Sequence, residues 1–152
     1  MNALILVNPH AAGGRARKLY PKLLQWCQEH SAIQRLQLQV SMPESIAAAL
    51  QMLDELHSPT RVIVVGGDGS LNQMLPGLLK GHHEVGLVPY GSGNDCARAW
   101  GLHSMNWQAA LQFAMDHPSN GIDVGRVTFS NGLMHYFHSS LAVGFDASVG
   151  NR

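Results

Sequence analysis

The chain has 152 residues, with ten basic and ten acidic side chains and a formal net charge of zero. A domain of this length can bury roughly 70% of its unfolded surface, so its core needs no disulfide or metal support. The charge balance argues against a nucleic-acid partner, because a groove that binds the phosphate backbone needs a basic excess.

Cysteine usage and the N-terminus indicate where the protein works. The two cysteines, Cys27 and Cys96, form no CxxC pair, which predicts reduced thiols and a cytoplasmic location. The opening "MNALILVNP" lacks the basic segment of a signal peptide. No stretch approaches the roughly 18 apolar residues that a membrane-spanning helix requires. We therefore expect any contact with a membrane to be only at its surface.

The first part of the chain alternates predicted strands and helices. The apolar run "ALILV" at 3–7 indicates a strand buried on both faces, and a helix is expected after the glycines at 13 and 14. "RLQLQV" at 35–40 alternates apolar and polar residues and predicts a half-buried strand near an edge. "SMPE" follows and predicts the capping box of a second helix, with Ser41 as its N-cap. This helix is expected to end at Ser58-Pro59.

The middle of the chain continues the alternation. "RVIVV" at 61–65 is the most apolar predicted strand, and a helix is expected over 71–79. "EVGLVP" at 84–89 predicts a further strand, followed by helices over 96–100 and 107–115. This order predicts an α/β domain of three layers with a mainly parallel sheet.

The pattern changes after residue 121. "GIDVGRVTF" and "LMHYFHSSLAVGF" predict consecutive strands around a two-residue hairpin turn at Asn131-Gly132. We therefore expect an α/β domain over 1–121 and the start of an all-β domain over 122–152. A β-unit this small cannot bury its own face, so we expect the chain to be the N-terminal part of a longer protein or of a longer ancestral design.

Three glycine-rich loops follow three of the predicted strands: "NPHAAGGR", "GGDGS" and "PYGSGND". The carboxyl ends of parallel strands meet at one edge of the sheet, where ligands bind. Glycines let backbone N–H groups face an anion, so the loops predict a nucleotide or phosphate site. The familiar phosphate motifs do not match. There is no GxxxxGK[ST], and Cys96 stands where GxGxxG requires its last glycine.

The loops resemble, in order and along nearly the whole chain, those of the diacylglycerol kinase catalytic-domain family. "GGDGSLNQ" is similar to its GGDG[TS]-x-N-[EQ] loop, and "PYGSGNDCARAWG" to its P-x-G-[ST]-x-N-D-[FC]-A-R signature. "NPHAAGGRA" resembles its NP-x-[SA]-G-x-G opening. "IDVGRV" and "SLAVGFDASV" resemble its D-[IVL]-G strand and G-[FI]-D-A stretch. NAD kinases are more distant members of the superfamily, and "GSGND" matches the lipid branch better.

The resemblance implies a kinase that transfers the γ-phosphoryl of Mg-ATP to the hydroxyl of a diacylglycerol-like lipid. The implied fold is a Rossmann-like α/β domain facing a C-terminal β-sandwich, with ATP and Mg²⁺ as cofactors. The implied partner is a lipid at a membrane surface, and a homodimer is left open. Two alternatives are a non-catalytic nucleotide-binding fragment of such a kinase and an NAD kinase-like enzyme.

The resemblance also assigns carboxylates. Asp68, in the GGDG loop, is the candidate catalytic residue that accepts the proton of the lipid hydroxyl. Asp68, Asp95 and Asp123 are expected to cluster and reach Mg²⁺ mostly through water. The alternatives are a turn role for Asp68, helix capping by Asp95 and an arginine ion pair for Asp123. Asp146 is a candidate on the acceptor side.

The remaining expected site residues surround the nucleotide. Ser41 is expected both to cap a helix and to contact phosphate, while Asn8 is placed beside the nucleotide or only fixes the turn before Pro9. For Asn94, bonding within its own loop and contact with the nucleotide stay equally open. The nine histidines show no zinc-ligand spacing. The expected nucleotide-binding residues are Asn8, Ser41, Gly66, Gly67, Asp68, Gly69, Ser70, Leu71, Asn72, Gly91, Ser92, Gly93 and Asn94.

Overall fold

Strands and helices alternate through most of the chain, as predicted. A computed structural model describes residues 2–34 and 37–138. Its elements, in chain order, are β1 (Asn2–Val7), α1 (Ala16–Gln34), β2 (Gln37–Ser41), α2 (Ile46–Asp54), β3 (Arg61–Gly66), α3 (Asp68–Lys80), β4 (Glu84–Pro89), α4 (Asp95–Ala99), α5 (Trp107–Asp116), β5 (Gly125–Thr128) and β6 (Met134–Phe137).

The central sheet has four parallel strands in the order β2-β1-β3-β4. In the register, Ile5 of β1 lies between Val40 of β2 and Ile63 of β3, and Ile63 in turn pairs with Gly86 of β4. Helices connect the successive strands, as parallel pairing requires. The carboxyl ends of β1, β3 and β4 therefore lie at one edge of the sheet, where the three glycine-rich loops begin.

Helices cover both faces of this sheet. Leu6 and Val64 belong to the core cluster that contains buried residues of α2, α3 and α4. Their neighbours Val7 and Val65 belong to the cluster formed with α1 and α5. Every residue of β3 is buried, as expected for a β-branched strand covered on both faces. The predicted three-layer α/β fold is confirmed.

The predicted start of the second helix is wrong. Ser41 belongs to β2 and pairs in register with Leu6 of β1. The helix α2 begins at Ile46, and Ser45 is its N-cap, with the Ser45 hydroxyl accepting a hydrogen bond from the Ala48 amide at 3.1 Å. Pairing with β1 extends the strand through Ser41 and so moves the helix start four residues along the chain. Local capping geometry at Ser45 then matches the ordinary N-cap pattern.

The glycine-rich segment after β3 is largely helical. Gly66 ends β3, Gly67 is the N-cap of α3, and Asp68 is the first residue of that helix. An acidic residue is favoured in the first turn of a helix, because the helix dipole places positive charge there. The predicted "GGDGS" loop is therefore a tight turn between β3 and α3 rather than an extended loop.

The hairpin of β5 and β6 forms a separate antiparallel sheet. Its turn has three residues rather than the two predicted: the Phe129 amide donates to Leu133 O and the Gly132 amide to Phe129 O, each at 2.9 Å. Gly132 adopts a φ of 83°, the left-handed conformation that this turn requires.

The domain boundary near residue 121 stays a prediction. Within residues 2–34 and 37–138, none of the helices combines the length and apolar character that a membrane crossing demands.

Candidate functional site

Two of the glycine-rich loops touch through their backbones. A Cβ built on Gly91 would lie 2.6 Å from the Cα of Gly67, and one built on Gly67 would lie 3.0 Å from the Cα of Gly91. A side chain at Gly91 would therefore force the loops apart. These two predicted residues are glycines because the segments after β3 and β4 approach each other this closely.

The loop after β1 contacts the start of α3 through Asn8. The side-chain Nδ2 of Asn8 donates to the Ser70 hydroxyl at 2.7 Å, and its side-chain Oδ1 accepts from the His10 amide at 2.9 Å. Ser70 is buried in the first turn of α3. A Cβ on Gly66 would lie 2.5 Å from the Ser70 Oγ, so glycine is needed there as well. The structure thus brings together predicted residues from the loops after β1, β3 and β4.

Asn94 shapes the third loop. Its Oδ1 accepts from the Gly91 amide at 3.0 Å, and its Nδ2 donates to the Gly91 carbonyl at 2.9 Å. Asn94 has a φ of 58°, and asparagine is among the residues that tolerate this left-handed conformation. Local bonding is therefore one role that Asn94 performs. Ser92 and Gly93 lie exposed at the tip of the loop.

Asp68 links the second loop to the helix that follows the third. Its Oδ2 accepts from the Asp95 amide at 2.8 Å and its Oδ1 from the Cys96 amide at 3.0 Å. Asp68 thus caps α4 from 27 residues away. The alternative in which Asp95 caps this helix is wrong, because Asp95 is its first residue and pairs with Arg98 at 2.8 Å on the surface.

These bonds explain how a carboxylate can lie within the glycine-rich turn between β3 and α3. Burial alone would raise the pKa of the Asp68 carboxyl, but the hydrogen bonds from Cys96 and Asp95 outweigh it and hold the pKa below its usual value. Asp68 also lies in the first turn of α3, where the helix dipole favours negative charge. Asp68 is therefore ionised at neutral pH, and amide donors compensate its charge.

The sequence did not reveal the contacts behind Asp68. His138 donates its backbone N–H to the Asn72 side chain at 3.1 Å, and its Nδ1 lies 3.7 Å from the Cys96 sulfur. Its ring packs against Trp100, with centroids 4.6 Å apart. Burial, together with Asp68, raises the pKa of the Cys96 thiol to about 12. Burial also lowers the pKa of His138, against the opposing influence of Asp68. These contacts join the hairpin to the α/β domain.

A cleft of about 410 Å³ opens beside the converging loops. Ser45, the N-cap of α2, borders this cleft, and Ser before an apolar run is the signal that could have identified it. Ser41 instead lies in β2, where its hydroxyl donates to the Met52 sulfur at 3.4 Å. Glu44 also borders the cleft, and Arg17 pairs with it at 2.7 Å. The predicted residues that line the cleft are Asn8, Gly67, Gly69, Ser70 and Gly91.

The similarity of this chain to known proteins is consistent with its fold and motifs. The sequence model of the diacylglycerol kinase catalytic domain matches residues 2–127. The chain belongs to this family. A diacylglycerol kinase of Mycobacterium tuberculosis is 38% identical over 91 residues, an alignment that covers 60% of this chain and 29% of that protein. A probable YegS-like lipid kinase of Chromohalobacter salexigens is 35% identical over 95 residues, with the same two coverages of 60% and 29%.

A solved diacylglycerol kinase from Bacillus anthracis has the same fold. It superposes with a TM-score of 0.60 at 24% identity, over 83% of this chain and 42% of that one. The predicted family and fold class are confirmed. The chain spans less than half the length of each of these relatives.

The carboxylates of this diacylglycerol kinase family member meet only in part. Asp95 and Asp123 border one cavity of about 420 Å³, while Asp68 bonds to the amide of Asp95. Arg98 pairs with Asp95 rather than with Asp123. Among the described residues, no three His, Cys, Asp or Glu side chains are grouped so that they could hold a metal ion. Asp95 and Asp123 thus place two carboxylates on one cavity, and one or two carboxylates with water is the number by which proteins often hold Mg²⁺. Asp146 lies outside the described residues.

Proposed function

We propose that this chain is the nucleotide-binding part of an ATP-dependent lipid kinase that transfers the γ-phosphoryl of Mg-ATP to a diacylglycerol-like lipid hydroxyl. The observation that carries the proposal is the convergence of the loops after β1, β3 and β4 around Asp68, beside the 410 Å³ cleft. The names of the relatives support it. We also propose a cytoplasmic location and contact with lipid at the membrane surface.

The start of α3 supplies donors for the phosphates. The first intrahelical bonds run from the Ser70 and Leu71 amides to Gly67 O, at 3.0 and 3.2 Å. The amides of Asp68 and Gly69 precede these bonds, so they are orphan donors of the kind that bind anions at a helix N-terminus. Gly69 is exposed and borders the cleft, which suits close approach of a phosphate. Ser70 instead uses its hydroxyl to hold Asn8 in place.

The carboxylates carry the remaining chemistry. Asp95 and Asp123 would hold hydrated Mg²⁺. Asp68 would keep Asp95 in position for this role by accepting the hydrogen bond from the Asp95 amide. When bound, the metal offsets the negative charge of the phosphates. Asp68 is ionised at neutral pH, and each of its oxygens keeps a lone pair beyond its amide bond. We propose that one of these lone pairs accepts the proton of the lipid hydroxyl.

The test combines transfer and binding. The chain is incubated with radiolabelled ATP, Mg²⁺ and diacylglycerol in detergent micelles, and ATP binding is measured separately by calorimetry. We expect phosphorylated lipid from the wild type and a loss of about 10²–10⁴-fold in Asp68→Asn, the range for a lost general base. Asp54→Asn is the matched control, because Asp54 makes only a surface pair with Lys80. Failure of the wild type to bind ATP would contradict the proposal.

A second function is supported by one observation. Both oxygens of Asp68 are used to cap α4, which gives this residue a structural role without any catalysis. The chain would then be a non-catalytic nucleotide-binding unit. ATP binding without transfer to any lipid acceptor, in the same pair of measurements, would favour this alternative.

A further inference from the structure

An apolar groove of about 660 Å³ lies beside β4, which ends the four-stranded sheet. We call it the β4 groove. Its walls come from β4, α3, α5 and the residues that follow α4 and α5. Its apolar side chains include Leu71, Leu75, Leu78, Leu79, Trp100 and Phe113. A volume of this size is within the range of small-molecule binding sites, which are mostly apolar with a few polar groups.

The β4 groove is continuous with the candidate site. Trp100, Ile122 and His138 border both the groove and the 420 Å³ cavity that holds Asp95 and Asp123. The combined space therefore has two carboxylates at one end and mostly apolar walls along the groove, whose lining also includes the Arg61–Glu84 ion pair. A ligand that matches it must carry a polar group and a long apolar part in the same molecule.

A polar atom at the junction lacks a partner. His138 Nε2 is buried and makes no hydrogen bond to any described residue. A buried polar group of this kind is normally satisfied by a protein group, a water or a ligand. An alcohol or ester oxygen at the junction would satisfy it, whereas a purely apolar ligand would not.

We propose that the β4 groove binds an acyl chain of the lipid acceptor, with the glycerol portion at the junction beside His138 and the hydroxyl toward Asp95 and the Asp68 carboxylate that is bonded to the Asp95 amide. This inference rests on the proposed lipid kinase function. A second copy of the chain would also cover apolar surface. However, it would not account for the junction with the acidic cavity or for the unpartnered imidazole nitrogen.

Tryptophan fluorescence tests binding without requiring catalysis. Diacylglycerol with brominated acyl chains, in detergent micelles, quenches tryptophans within contact distance. Trp100 borders the groove, whereas Trp26 and Trp107 pack in the core cluster on the opposite face of the sheet. We expect quenching of the wild type that disappears in Trp100→Phe.

A matched pair of variants locates the chain. Leu79 borders the groove and is 38% exposed, while Leu133 is 54% exposed at the hairpin turn, away from the groove. Replacing Leu79 by Asp places a charge against the acyl chain, so Leu79→Asp should raise the lipid concentration for half-maximal quenching about tenfold. Leu133→Asp should change it less than about twofold, because exposed substitutions have small effects. Both substituted side chains are exposed to solvent, so both variants should fold.

Each outcome decides the inference. It is overturned by a wild type that shows no quenching, or by equal weakening in the two aspartate variants, which would indicate general adsorption to micelles. Sedimentation that shows a wild-type dimer and a monomeric Leu79→Asp would overturn it in favour of a second copy in the groove. Quenching with the expected variant pattern but no phosphoryl transfer would support the acyl site and contradict the kinase proposal.

Discussion

The contact between Gly67 and Gly91 makes a quantitative prediction. In Gly91→Ala the new Cβ would lie 2.6 Å from the Gly67 Cα, 2.8 Å from Asn94 Oδ1 and 3.2 Å from the Gly67 amide nitrogen. Carbon atoms in contact are about 3.5–4.0 Å apart, so the two loops must separate by about 1 Å. Overpacking of this kind costs about 1–3 kcal/mol of unfolding free energy. A 1 Å displacement of groups that position a substrate can cost about 10²-fold in rate.

Gly93→Ala is the matched control for this variant. A Cβ there would meet only Asp68 Oδ2 at 3.7 Å, an ordinary contact, and neither Gly91 nor Gly93 has a positive φ. Both substitutions restrict the unfolded chain equally, so their difference isolates the contact between the loops. Urea denaturation measures the change in stability, and transfer of radiolabelled phosphate from ATP to diacylglycerol measures the change in rate. Equal stability and equal transfer rates in the two variants would refute the role assigned to this contact.

Three further predictions concern the groups around the cleft. Asp68→Asn should lower the free energy of unfolding by about 2 kcal/mol at pH 7, as expected for lost hydrogen bonds to a charged group. Because the folded pKa of Asp68 lies below its unfolded value of about 3.9, this difference should shrink as urea denaturation is repeated toward pH 3. A double-mutant cycle of Asn8→Ala and Ser70→Ala should give a coupling of about 1 kcal/mol in unfolding. Burial raises the pKa of the Cys27 thiol to about 11, and burial together with Asp68 raises the pKa of the Cys96 thiol to about 12. Iodoacetamide at pH 8 should therefore label the native chain slowly, and it should label two thiols after denaturation.

Each of these predictions has a distinct contrary result. A stability difference for Asp68→Asn that is the same at pH 7 and pH 3 would mean that the ionised carboxylate is not the stabilising form. Additive effects of Asn8→Ala and Ser70→Ala would mean that their hydrogen bond does not couple the first loop to α3. Rapid labelling of Cys96 in the native protein would contradict its burial beside Asp68.

Elements fixed by local composition could be predicted from the sequence. The strand predicted at 84–89 is β4 (Glu84–Pro89), and the run "RVIVV" became the fully buried β3. Strands buried on both faces are marked by continuous apolar runs, which need no knowledge of distant residues. The helix start at Ser41 failed because its strand pairing with Leu6 of β1 is a long-range contact. A local capping pattern cannot report that pairing.

The candidate site divides in the same way. The glycines could be predicted, because loops after parallel strands meet at one edge and close backbone approach requires glycine. The bond from Asp95 to Asp68 spans 27 residues, and the bond from His138 to Asn72 spans 66. Such contacts depend on tertiary packing and leave no spacing pattern in the chain. The cap that Asp68 forms on α4 was therefore not foreseen.

The cap on α4 changes how any loss of transfer in an Asp68 variant must be interpreted. Removing the carboxylate releases the amides of Asp95 and Cys96 and removes the candidate base at the same time. If Asp68 acts only as a cap, the variant should need more Mg²⁺ for half-maximal activity, because Asp95 is no longer held, but its kcat at saturating Mg²⁺, ATP and lipid should stay near that of the wild type. If Asp68 also accepts the proton, kcat should remain low at saturating Mg²⁺ while the folded fraction is complete. Measuring kcat against Mg²⁺ concentration, together with the folded fraction, on the same Asp68→Asn sample therefore separates the two roles.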